Sequence, residues 1–187
     1  MANTATNVTN AQPAVGGAVS VAPLGTTVPT TADGSLNQAF VGLGYISDEG
    51  ATNTITRDMT DIKAWGGDTV LALQNSKDDK FKMTFLESMN LNVLKVVHGD
   101  TKVTGVLSTG ITVTESSLEL EAHAWVIDMI LRGNALKRIV IPNGKVTSIE
   151  EISYADSDAT GLGIEITAMP DSSGNTHYEY IKAASTT

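Results

Sequence analysis

Three histidines and twenty-one acidic residues are the groups in this chain able to carry acid–base or metal chemistry. His98, His123 and His177 are far apart in the sequence and form neither HxH nor HExxH, the spacings that bring two imidazoles to one metal. The acidic neighbours Asp48-Glu49, Asp78-Asp79 and Glu150-Glu151 supply carboxylates in pairs. On a strand, adjacent side chains point to opposite faces, so such a pair cannot flank a single bond as acid and base. Asp156, Asp158, Thr160 and Gly161 sit where a calcium loop of the EF-hand type places its first, third, fifth and sixth residues. Thr167 stands where that loop requires its closing glutamate, and a polar turn is the reading. Gly42-Leu43-Gly44 and Gly161-Leu162-Gly163 lack the lysine and hydroxyl residues of a phosphate loop, and no GxSxG precedes an Asp and a His. The residues predict no catalytic, cofactor-binding or metal site, and so no enzyme.

The elements around these residues are mainly strands. Thr, Val and Ile make up 53 of 187 residues, and such β-branched side chains are stiff at χ1 and fit a pleated surface better than a helix. The length suits a single domain. With no cysteine, disulfides and thiolate catalysis are excluded, zinc is left with His and carboxylates only, and folding in a reducing cytosol is expected. The N-terminus lacks a basic and apolar leader pattern, and the apolar run 124–131 is short and interrupted by Asp128, so neither a signal peptide nor a membrane span is expected. A net charge of −9 argues against wrapping nucleic acid through its phosphates, although not against a wall that DNA passes without sticking.

Residues 1–32 contain no charge and three of the five prolines, Pro13, Pro23 and Pro29. The composition predicts an extended arm, flexible in the monomer. The body is expected over 33–182, and 183–187 as a loose C-terminus. Within the body, a strand over 38–46 ends at the turn Ser47-Asp48-Glu49-Gly50. A hairpin over 54–65 and 68–74 follows around Gly66-Gly67, then a turn at Asp78-Asp79 and a strand through Phe81, Met83 and Phe85. One helix is predicted at about 87–98, with Ser88 as its N-cap, Leu91, Leu94 and Val97 on its apolar stripe and Gly99 at its end. Further strands are predicted at 102–107, 111–115, 118–121, 124–131, 136–141, 145–154, 162–169 and 178–181.

Taken in order, the segments "FVGLGYISDEG", "IKAWGGDTVLAL", "FKMTFLESMNLNVLKVVHG", "AWVIDMILRGNALKRIVIPNGKVT" and "GIEITAMPDSSGNTHYEYI" resemble the major tail proteins, or tail tube proteins, of bacteriophages with long non-contractile tails. The resemblance runs over about 38–181; Trp65-Gly66-Gly67 and "RIVIPNGKVT" are its most specific parts. It implies a β-sandwich or barrel-like body with one flanking helix, a fold similar also to the tube proteins of type VI secretion. It further implies a structural virion protein, assembled in the host bacterial cytoplasm, that stacks as rings of six into a hollow tube. Its partners would then be further copies of itself, the tape-measure protein in the lumen, tail-tip and tail-terminator proteins, and viral DNA in passage, with no membrane.

In the hairpin, Ile62 and Ala64 are expected on one face and Lys63 and Trp65 on the other, so neither face is plainly buried or plainly wet. Lys63, Trp65, Gly66, Gly67 and Asp68 are therefore candidate self-assembly contacts, with Pro23 and Pro29 of the arm as a second group. The alternative at Trp65 is an indole buried in the subunit's own core. Rival readings of the chain are a secreted or cell-surface adhesin-like sandwich, a head decoration or tail-completion protein, and a small hydrolase.

Overall fold

Every second residue of 81–85 is apolar, and so is every second residue of 162–166; in the computed structural model, which describes residues 3–184, these two stretches lie side by side. Leu162, Ile164 and Ile166 stand directly opposite Phe85, Met83 and Phe81, and all six are buried. The opposite face of the same pair carries Lys80, Lys82 and Glu165, with Lys80 Nζ 2.7 Å from Glu165 Oε1. Period-two patterning alone sorts this part of the sheet into a core face and a solvent face.

The strands are β1 (Ala11–Pro13), β2 (Val19–Pro23), β3 (Val41–Gly42), β4 (Ile46–Lys63), β5 (Thr69–Phe85), β6 (Val103–Val106), β7 (Gly110–Val113), β8 (Ala122–Leu131), β9 (Leu136–Ile149), β10 (Leu162–Ala168) and β11 (Tyr178–Lys182). One helix, α1 (Leu91–His98), follows β5. The main sheet is antiparallel in the order β3-β2-β8-β9-β10-β5-β4, with β1 added to β8 and β11 to β9; β6 and β7 form a separate hairpin. With 49% strand and 7% helix, the protein has a mainly β, sandwich-like fold with one helix against it. The helix drives Val93, Val96 and Val97 into the same core as Phe81, Phe85, Trp125, Ile141 and Ile166.

β9 runs without a break through Pro142-Asn143-Gly144, where the sequence pattern predicts two strands, 136–141 and 145–154. Its first half lies between β8 and β11, and its second half meets β10. The passage depends on Gly144, since a Cβ there would stand 2.7 Å from the Trp125 ring, whose Nε1 donates to the Gly144 carbonyl at 3.0 Å. Only a glycine lets the backbone approach the indole that closely.

The uncharged N-terminal segment does not lie loose as expected. β2 pairs with β8 along its whole length, and Val19, Val21 and Ala22 are buried. A short stretch can join a core when its neighbours supply the rest of the apolar surface, which composition alone does not register. The connection between β2 and β3 is tied back as well. Arg138 is buried, bridges Asp128 through Nε (2.6 Å) and its second guanidinium nitrogen (3.1 Å), and donates to the carbonyls of Thr31 and Gly34. Met1, Ala2 and residues 185–187 of the expected arm and tail lie outside the described residues; Ala183 and Ala184 follow β11 as exposed chain.

Other boundaries shift for local reasons. The helix begins at Leu91, because Asn90 rather than Ser88 caps it, its Oδ1 accepting from the Asn92 backbone at 3.0 Å. Its buried stripe is Val93, Val96 and Val97, so Leu91 and Leu94 lie at the margin. The predicted strand 38–46 shrinks to β3, Ser47–Gly50 belong to the irregular start of β4, and 118–121 and 150–154 form no strand.

Two truncations separate the readings of the N-terminus. Removing residues 1–32 takes β2 out of the core and is expected to abolish the cooperative thermal transition followed by circular dichroism, whereas removing 1–10 is expected to keep it. Arg138→Ala strands the partly buried Asp128 carboxylate and is expected to cost about 3–5 kcal/mol in denaturant melts.

Candidate assembly surface

β4 and β5 are 18 and 17 residues long, far longer than the β10 strand that supports them. Only residues 79–85 of β5 reach the core; every residue from 51 to 76 is exposed. Residues 51–63 correspond to about 40 Å of extended chain at about 3.3 Å per residue. A two-stranded ribbon of this kind, with water on both faces, is at best marginally stable by itself.

Its base is clamped. The expected turn at Asp78-Asp79 is instead the middle of β5, since the strand passes straight through and Asp79 becomes a buried carboxylate with a full set of donors. Asn53 Nδ2 of β4 donates to Oδ1 at 2.8 Å, Thr176 Oγ1 donates to Oδ2 at 2.5 Å, and His177 Nδ1 lies 2.6 Å from Oδ2. Lys77 Nζ stands 3.8 Å away and donates to Thr176 Oγ1 at 2.9 Å. His177 also meets Phe81 edge-on. Burial by itself pushes the Asp79 carboxyl up, but the hydrogen bonds from Thr176, Asn53 and His177 outweigh it and hold the group below the ordinary carboxylate range.

Beyond the clamp, register decides what the ribbon shows. Ile62 faces Leu71 and Thr60 faces Leu73, so one side of the outer ribbon gathers Ile62, Leu71 and Leu73. The other side carries Met59 and Asp61 opposite Gln74 and Ala72; beyond a register shift at Ile62/Lys63, Lys63 pairs with Thr69. Asn75 Nδ2 ties the strands by donating to Asp58 Oδ2 and Thr60 Oγ1, next to a register shift. The loop closes through Gly67 N donating to the Ala64 carbonyl and Ala64 N to the Asp68 carbonyl. Gly66 and Gly67 have φ of +118° and +99°, a conformation that only glycine adopts readily. Trp65 stands at the tip, 106% exposed, so its indole is not in the subunit's own core.

Lys63, Trp65, Gly66, Gly67 and Asp68 thus share one hairpin tip. The prolines do not join them: Pro23 ends β2, its carbonyl accepting from Thr26, and Pro29 lies half-buried in the connection to β3. Sequence reasoning missed Ile62, Val70, Leu71 and Leu73 as a surface. Leu71 and Leu73 are two apart and share a face, but the polar run 74–80 separates them from Phe81, Met83 and Phe85 and conceals that one strand carries both sets. Among the described residues the outer edge of β4 has no strand partner, and three register shifts interrupt its pairing with β5, a usual way of blunting an open edge.

The histidines stay apart, each beside a different carboxylate: His98 by Glu115, His123 by Asp100 at 3.2 Å and His177 by Asp79. Among the described residues, no three His, Asp or Glu side chains converge to hold a metal ion, and no helix is long and apolar enough to cross a membrane.

A family model described as phage tail tube protein matches residues 2–187. No curated protein matches the chain.

Asp79→Ala leaves buried donors unsatisfied and is expected to lower stability by about 1–3 kcal/mol at pH 7. The folded-state pKa lies below the unfolded value of about 3.9, so the carboxylate's contribution is complete above about pH 4. It is lost as pH falls through the folded pKa. Denaturant melts across pH should show the gap between native and variant proteins narrowing in acid.

Proposed function

The chain belongs to the phage tail tube protein family, and from that premise we propose that it polymerises as stacked rings, six subunits to a ring, into a hollow tube through which DNA is ejected. Membership places it among the structural proteins of the virion tail. The number six, the passage of DNA, the tape-measure protein in the lumen and the tail-tip and terminator partners follow from the family resemblance. The observation that carries the reading is the ribbon. Residues 51–76 present Ile62, Trp65, Val70, Leu71 and Leu73 to water with no core of their own to meet. Such a clamped, two-sided ribbon gains stability when a neighbouring subunit covers one of its faces.

On this reading Lys63, Trp65, Gly66, Gly67 and Asp68 are assembly contacts, and the glycines hold the loop that presents the indole. Pro23, exposed at the end of β2, and Pro29, half-buried in the connection to β3, would meet a neighbouring copy at a separate place from the tip. The charge of −9 suits a bore for DNA, since carboxylates cannot replace the counterions of its phosphates and the strand slides rather than adheres.

Negative-stain electron microscopy of the concentrated protein is expected to show hollow tubes, with tail-tip components added if initiation requires them. Persistent monomers under both conditions would overturn the proposal. Trp65→Ala removes a side chain that touches nothing in the subunit, so its stability should stay within about 0.5 kcal/mol of native. Its tubes should nevertheless be lost or sharply reduced; normal polymerisation by this variant would remove Trp65 from the assembly surface.

A further inference from the structure

Where the N-terminal segment crosses the start of β4, the surface sinks into two joined hollows of about 500 and 390 Å³ that share Pro13, Ala18 and Ile46. Their walls are apolar for the most part, and Val15 and Tyr45, 95% and 77% exposed, line the larger of the two. Among the described residues, the acidic groups on the lining are Asp48, Glu49 and Glu87, and no Lys or Arg lines either hollow. Glu87 is occupied, accepting from Tyr45 N at 3.0 Å and Asn90 Nδ2 at 2.9 Å. Among the described residues, Asp48 and Glu49 make no ion pair, and neither does Lys63 at the hairpin tip.

We propose that this groove receives the hairpin tip of a second copy of the chain, with Trp65 in the apolar trough beside Val15 and Tyr45 and Lys63 against Asp48 and Glu49. The inference rests on the self-assembly reading above and names the surface that the tip meets. Three features point to this occupant. The tip offers a fully exposed indole with a free cation two residues away, and the groove offers an apolar trough with two free carboxylates on its rim. The chain's own tip cannot fill its own groove, because Ile46 and Lys63 are the two ends of an 18-residue strand, about 55 Å apart. Tip and groove are also different surfaces, so each copy that gives a tip keeps a groove open. A heterologous contact of this kind propagates from copy to copy instead of closing a pair.

The absence of cysteine gives a direct test. Gln12→Cys on the groove rim and Ala64→Cys beside the indole place unique thiols at the two surfaces while leaving Trp65, Lys63 and the carboxylates intact. Under polymerising conditions with a short bismaleimide, the double variant is expected to give a ladder of covalent dimers, trimers and higher species on a denaturing gel. An equal mixture of the two single variants should give dimers and nothing longer. Thr69→Cys replaces Ala64→Cys should the latter variant fail to form tubes. Tubes by microscopy with only monomers on the gel would overturn the groove contact and leave the self-assembly reading standing. Failure of the native chain to form tubes, even with tail-tip components, would overturn both.

Discussion

A β-strand has two faces for its whole length, and β5 carries that constraint from the core into open water. Its residues 79–85 alternate between the core and solvent, paired with β10 on one edge and β4 on the other. The same two strands then run on past the last supporting neighbour, where alternation continues but there is no second layer to receive the apolar side. The Asp79 cluster stands at that crossing point. A buried carboxylate there recruits Asn53 from β4 and Thr176 and His177 from the loop before β11, so the base of the ribbon is held by charge-assisted hydrogen bonds where apolar packing ends. The direction and reach of the exposed ribbon depend on that anchorage.

The opposite half of the sheet solves a different problem. β8 is apolar on both faces because both are covered. Trp125 and Ile127 enter the main core, while Ala124 and Val126 share the other face with Ala22 and Val140, their register partners. Arg138, on that second face, fastens the connection after β2 through the carbonyls of Thr31 and Gly34. A chain segment with no charged side chains thereby becomes a structural strand and strap. It also builds one wall of the groove beside β4, so the N-terminal residues serve the fold and the surface at once.

These two halves fit the demands on a phage tail tube subunit. A subunit of a polymer must fold alone, remain soluble and still carry surface that is incomplete until a neighbour arrives. The clamped base and the doubly covered β8 meet the first demand. The net charge of −9 acts in the direction of the second, since like-charged copies repel one another. On the function proposed, the third falls to the ribbon, whose strands obey the pattern of a sheet without the sheet to complete it.

Much of this was legible in the residues themselves. The β-branched composition and the alternation at 81–85 and 162–166 determined strands and their inward faces, since period two is a local property. The glycine pair at 66–67 determined a tight reversal, the paired glycines taking a positive φ. The order of the motifs determined the family, which the match over residues 2–187 bears out. Tertiary structure alone decided that Asp78-Asp79 is strand rather than turn, because only the donors brought from residues 53, 176 and 177 make a buried carboxylate tolerable. It decided that Val19, Val21 and Ala22 are core, because pairing with β8 brings them the apolar surface that the segment lacks. It decided, too, that Trp65 stands in water, since whether an apolar side chain is buried depends on what lies opposite, and residues nearby in sequence do not specify that.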